Sequence, residues 1–72
     1  MEPREAALTV LEEERGTDHH WTVLWDLALR RGYIDPFTQP DARDAFLRAL
    51  VEESRGGGRV EKSSKGTYRL RD

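Results

Sequence analysis

Apolar residues along this 72-residue chain recur with a helical rhythm in three stretches and with a strand rhythm in one. In PREAALTVLEEER, residues 3 to 15, Ala7, Leu8, Val10 and Leu11 make one stripe at helical spacing. Pro3 is tolerated in the first turn, and Gly16 supplies the stop. In WTVLWDLALRR, residues 21 to 31, Trp21, Leu24, Trp25 and Ala28 fall at i, i+3, i+4 and i+7, and Leu27 widens the stripe. Arg30 and Arg31 sit where the helix dipole favours cations, and Gly32 follows as the breaker. The third helix is expected over residues 40 to 55, where Ala42, Ala45, Phe46, Ala49 and Leu50 share a face. Thr38 or Gln39 would cap it, with Thr38 and Asp41 approximating a capping box.

After the third helix the period changes. Gly56, Gly57 and Gly58 form a joint expected to be flexible, and then Val60, Tyr68 and Leu70 alternate with polar neighbours. Strands are expected near residues 59 to 63 and 67 to 71, joined by a turn in SSKG with Gly66 at a positive φ. The connector Thr17 to His20 is a candidate for one more strand pairing. Between the second and third helices, Tyr33, Ile34 and Phe37 are expected to carry apolar mass through a loop stiffened by Pro36 and Pro40. Trp21 and Trp25, each with a large area to bury, are expected to supply much of the core.

Three helices followed by a hairpin predict a mainly α chain with a small β-hairpin, an α+β fold of the winged helix-turn-helix layout. Seventy-two residues are expected to form one domain, with room for neither a second domain nor a deep active-site cleft. The absence of cysteine excludes disulfides, thiol catalysis and thiolate zinc sites. No apolar run approaches the roughly 20 residues of a membrane span, and MEPREAAL lacks the form of a signal peptide. The expectation is a soluble cytoplasmic protein, associated with a nucleoid or nucleus if it binds DNA.

Charge divides the chain. Residues 1 to 42 hold 4 Lys and Arg against 9 Asp and Glu, a net of −5, whereas residues 43 to 72 hold 8 against 5, a net of +3. A polyanion is therefore repelled by the first half and attracted to the second.

Taken together, the motifs resemble the HARE-HTH family. These are winged helix-turn-helix domains of bacterial RNA polymerase delta subunits, restriction-type proteins and eukaryotic chromatin regulators. The resemblance runs through AALTVLEEE, then HWTVLWDLALRRGYI with His20, Leu24, Ala28, Leu29, Arg31, Gly32 and Ile34 on the family's positions, then QPDARDAFLRAL and GRVEKSSKGTYRLR. Gln39 stands where the family usually has threonine before the proline, and Trp21 and Trp25 are heavier than the residues usual there. The resemblance implies binding to double-stranded DNA or to a protein of the transcription or chromatin machinery.

In such a fold the third helix approaches the groove, so Arg43 and Arg48 are the candidate base-reading cations. Asp44 and Arg48, at i and i+4, are expected to pair. In the wing, Arg59, Lys62 and Lys65 with the hydroxyls of Ser63 and Ser64 are candidates for phosphate contact. The alternative is a protein adaptor whose acidic first half, through Glu12, Glu13, Glu14 and Asp18, docks on a basic surface. A self-associating module comes third. Adjacent His19 and His20 do not have metal-ligand spacing, so no metal or cofactor is expected, and His20 is read as a capping or packing residue. Ser54, Ser63 and Ser64 lack a nucleophile context. Neither enzymatic activity, nor a small-molecule substrate, nor membrane binding is expected.

Overall fold

A computed structural model describes residues 1 to 71. Helix α1 spans Pro3–Glu13, α2 Trp21–Arg30 and α3 Ala42–Glu53; the strands are β1 His19–His20, β2 Val60–Ser64 and β3 Thr67–Leu70. The strands form one antiparallel sheet in the order β1-β3-β2, with Val60 opposite Leu70, Lys62 opposite Tyr68 and His19 opposite Tyr68 on the other side. The three helices followed by a hairpin wing are a winged helix-turn-helix. The connector before α2 supplies the third strand, as expected. No helix among the described residues is long and apolar enough to cross a membrane.

The core lies where α1 packs on α2 and α3 and the sheet closes one end. Phe46, Leu11, Leu24, Leu50, Val10 and Val60 are its largest fully buried side chains, joined by Tyr68 and Leu70 from the inner face of β3. The helical and strand stripes thus meet in one cluster. Helix α2 ends in a hydrogen-bonded reversal in which the Gly32 amide donates to Leu29 O (3.1 Å) and the Tyr33 amide to Ala28 O (2.9 Å). That reversal turns Ile34 into the core, where it is buried.

Several expectations are corrected. Trp21 and Trp25 are only half-buried and pack on the rim of the core. Trp25 meets Phe46 edge to face, with centroids 5.4 Å apart, so Phe46 holds the centre that the tryptophans were expected to fill. Phe37 is 95% exposed. Its amide donates to Asp35 Oδ1 (3.0 Å), an Asx turn that closes the loop before Phe37 reaches the core. Thr38 does not cap α3, because its hydroxyl donates to Asp35 O (3.3 Å); the helix begins at Ala42 with Asp41 at the cap position and no side-chain capping bond. The triple glycine is not a free joint. A Cβ on Gly58 would lie 2.0 Å from Glu53 O, and its amide donates to Arg55 O (3.1 Å), so the glycine is required by close approach to α3.

The ends of α1 and α2 are tied by ions. Arg31 pairs with Glu13 (2.7 Å) and Glu14 (2.8 Å), and the Tyr33 hydroxyl donates to Glu13. Arg31 thereby neutralises the glutamates that crowd the unfavourable end of the α1 dipole. The Glu14 carboxyl is held below its ordinary range, first by the Arg31 hydrogen bond. Burial opposes the shift, and the Arg31 charge and the His19 ring add to it. Tyr33 is pushed above its ordinary value by the bond to Glu13, by burial and by the Glu13 charge.

Two tests follow from this core and this ion cluster. Phe46→Ala is expected to cost about 3 to 5 kcal/mol, enough to unfold much of a chain of this size, while Phe37→Ser changes stability by less than about 0.5 kcal/mol; urea unfolding compares them. Glu14, with a lowered folded pKa, contributes stability that is present above its ordinary 4.5 and lost as pH falls through the folded value. Tyr33, with a raised one, contributes stability present below its ordinary 10.0 and lost as pH rises through the folded value. Melting temperature measured against pH should therefore fall on both sides, and Arg31→Gln should flatten the acid limb.

Candidate nucleic-acid interface

The wing tip is fixed to the helices through its turn. Lys65 and Gly66 connect β2 to β3, and Gly66 adopts φ +71°. A Cβ there would lie 2.7 Å from His20 Nε2, so the imidazole covers the glycine directly. The Trp21 amide donates to Gly66 O at 2.8 Å, spending one of the amides that the first turn of α2 leaves without a helical acceptor. On its other side His20 caps α2, with Nδ1 accepting from the Thr22 amide (3.3 Å) and lying 2.8 Å from the Thr22 hydroxyl. His20 is therefore a capping and packing residue, and it also anchors the wing.

Trp21 carries the connection on to α3. The Arg43 guanidinium lies 4.7 Å from the centroid of its ring, a cation–π contact that holds the side chain without cancelling its charge. The wing turn, the start of α2 and the start of α3 thus converge on Trp21. Around the turn, residues 61 to 65 are all exposed, and a bulge between Lys62 and Ser64 breaks the ladder at Ser63. Neither Lys62 nor Lys65 has an ion-pair partner among the described residues, and the hydroxyls of Ser63 and Ser64 are likewise free.

The remaining candidate cations lie elsewhere. Arg48 sits over a cleft lined by Glu2, Pro3, Arg4, Ala45, Ala49 and Glu52, on the α1 flank of α3. It lies five positions after Arg43, roughly 140° around the helix at 100° per residue, so the two arginines occupy different flanks. Between them around the helix lie Asp44, which is exposed, Leu47, which is half-buried, and Val51, which packs against the core. The expected Asp44–Arg48 pair is not formed; an exposed pair worth about 0.2–0.5 kcal/mol does not outweigh the side-chain freedom it removes. Arg59 is at the base of the wing, roughly 20 Å from Lys65 by the rise of six extended residues. It lines an open groove of about 550 Å³ along α1 with Arg4, Glu5, Leu8, Thr9 and Glu12. The wing turn that carries Lys62, Ser63, Ser64 and Lys65 is linked to Arg43 through Trp21, whereas Arg48 and Arg59 have no such link.

Charge follows the division seen in the sequence. Arg4 pairs with Glu52 and Glu53, Arg15 with Glu12, Arg30 with Asp26, and Arg31 with Glu13 and Glu14. Every arginine of residues 1 to 42 is thereby paired with a carboxylate. In the second half Arg69 joins Asp18 (3.7 Å) and Glu61 (3.5 Å), but Arg43, Arg48, Arg55, Arg59, Lys62, Lys65 and Arg71 have no carboxylate partner among the described residues. The acidic set proposed for docking is spent internally: Glu12 on Arg15, Glu13 on Arg31 and Tyr33, Glu14 on Arg31 and His19, and Asp18 on Arg69.

Reading by period assigned Trp21 to the core and so missed its place in this surface. The available signal was His20–Trp21 standing directly after a connector expected to pair with the hairpin. No family model matches this chain, and no curated protein or solved structure matches it.

Proposed function

We propose that this winged helix binds double-stranded DNA through backbone phosphates, using the wing tip and the starts of α2 and α3. One observation carries the reading: the cations at the wing tip have no internal partner, and Trp21 ties them to Arg43. Lys62 and Lys65 supply exposed, unpaired charge, Ser63 and Ser64 supply hydroxyl donors, and Arg43 is held in place by an aromatic face. Phosphate contact of this kind fixes position on a duplex and carries no sequence information by itself. The face of α3 between Arg43 and Arg48, with Asp44 exposed, Leu47 half-buried and Val51 against the core, offers little to base edges, so the binding is weakly selective for sequence.

The resemblance to HARE-HTH domains supports the same reading and adds a context, that of a non-catalytic cytoplasmic or nucleoid- or nucleus-associated module of the transcription or chromatin machinery. Docking through Glu12, Glu13, Glu14 and Asp18 would require breaking the ion pairs those residues already make, so the adaptor reading ranks second.

The test is an amide NMR titration with a generic duplex at low and at physiological salt. Shifts are expected at residues 20 to 22, at Arg43 and at residues 62 to 66, fading as salt rises. Lys62→Ala with Lys65→Ala should weaken binding to unrelated sequences alike and reduce the slope of log affinity against log salt by about 2. No shifts at low salt, or an unchanged slope in the double variant, would reject the proposal.

A further inference from the structure

At the far end of the hairpin from the wing tip, three arginines meet. Arg15 from the turn after α1, Arg59 preceding β2 and Arg71 following β3 line an open cleft of about 190 Å³ with Gly58 and Leu70. Each arrives by a different route through the fold. Arg71 is oriented by the main chain, its Nε donating to Gly58 O (2.8 Å) and its Nη2 to Val60 O (2.9 Å). Those carbonyls fix the guanidinium without neutralising it. The Arg59 side chain makes no hydrogen bond or ion pair among the described residues. Arg15 is held by Glu12 alone, through two contacts of 2.9 Å.

Like charges gathered this way repel one another, so the arrangement is unfavourable unless an anion joins it. Among the described residues three guanidiniums face the Glu12 carboxylate, while Glu53, whose Oε1 accepts from the Arg59 amide, is paired with Arg4; the cleft is left net cationic, which suits a phosphate monoester. Guanidinium forks suit phosphate oxygens, and an arginine pre-oriented by the backbone loses little freedom in binding them. Leu70 gives the cleft a mostly buried apolar wall, next to which charge-assisted hydrogen bonds are screened less than in open water.

We propose that Arg15, Arg59 and Arg71 form a binding site for a phosphate monoester, distinct from the wing tip and independent of duplex binding. Glu12 is its internal competitor: it occupies Arg15 in the free protein and yields it when the phosphate binds. The mainly acidic α1 groove that Arg59 also lines, with Glu2, Glu5 and Glu12, repels a polyanion and so favours a small ligand over a second duplex.

The experiment is an NMR titration of the full chain with inorganic phosphate against chloride at equal ionic strength, following the amides of Gly58, Arg59 and Arg71. Saturable shifts with phosphate are expected, at least about tenfold weaker in Arg59→Ala. That side chain has no internal bonds, so the variant should keep its fold. Glu12→Gln is expected to tighten binding several-fold by releasing Arg15. Lys62→Ala with Lys65→Ala is expected to leave phosphate binding unchanged, which keeps this site apart from the duplex reading. Shifts that rise linearly or appear equally with chloride, an affinity insensitive to Arg59→Ala, or a Glu12→Gln variant that binds no better would each overturn the proposal.

Discussion

The hydrogen bond from the Trp21 amide to Gly66 O holds the wing in register with the helices. A hairpin of five and four residues is marginal by itself, and only Val60, Tyr68 and Leu70 root it in the core. All three lie toward its base or middle. Beyond Tyr68 nothing apolar supports the tip, so its position depends on the two residues of β1, on this amide and on the His20 ring over Gly66. The same ring nitrogen arrangement that caps α2 sets the imidazole against the glycine. A side chain at position 66 would meet that ring and also face an unfavourable φ, so the turn and the helix cap constrain each other.

This coupling sets the wing-tip cations at a defined place relative to α3. A flexible wing would hold Lys62 and Lys65 at no fixed distance from α3, and two loose cations gain little from a rigid polyanion once ordering is counted. Here Trp21 bonds to the turn by its backbone and carries Arg43 on its ring. One residue thus relates both parts of the surface. Its half-burial suits both contacts, with one part of the indole on the core and a face against the Arg43 guanidinium.

Much of the architecture was legible in the sequence because the stripes were long and the breakers explicit. Leu24 with Ala28, and Phe46 with Leu50, are separated by whole helical turns, and Gly32 and Gly66 stand where chain reversals occur. Period alone does not say how deeply a position lies. Trp21 and Trp25 share the stripe of Leu24, yet only Leu24 reaches the centre, because Phe46 from another helix already fills the space beside Trp25. Nor does period speak for loops: Phe37 points outward because Asp35 captures its amide, a local bond that outweighs hydrophobic preference at a tight turn. The site was legible in residue type and less so in grouping. Arg43, Arg48 and Arg59 are all basic, but helix angle and strand length send them to different sides.

The separation of Arg59 from Lys65 bears on how the molecule distributes charge. Were all the uncompensated cations on one face, their mutual repulsion would act against the folded state of a chain with a small core. Setting them at opposite ends of the hairpin, roughly 20 Å apart by strand rise and so beyond a Debye length of about 8 Å at physiological salt, leaves each group nearly independent of the other. The ion pairs of the first half add to this economy by removing the acidic residues nearest the helix ends from long-range attraction to the wing. Under the two proposals each cationic cluster would meet an anion of its own kind: extended phosphate at the tip, where Lys62, Ser63, Ser64 and Lys65 are exposed, and compact phosphate at the base, where Arg71 is fixed by the main chain.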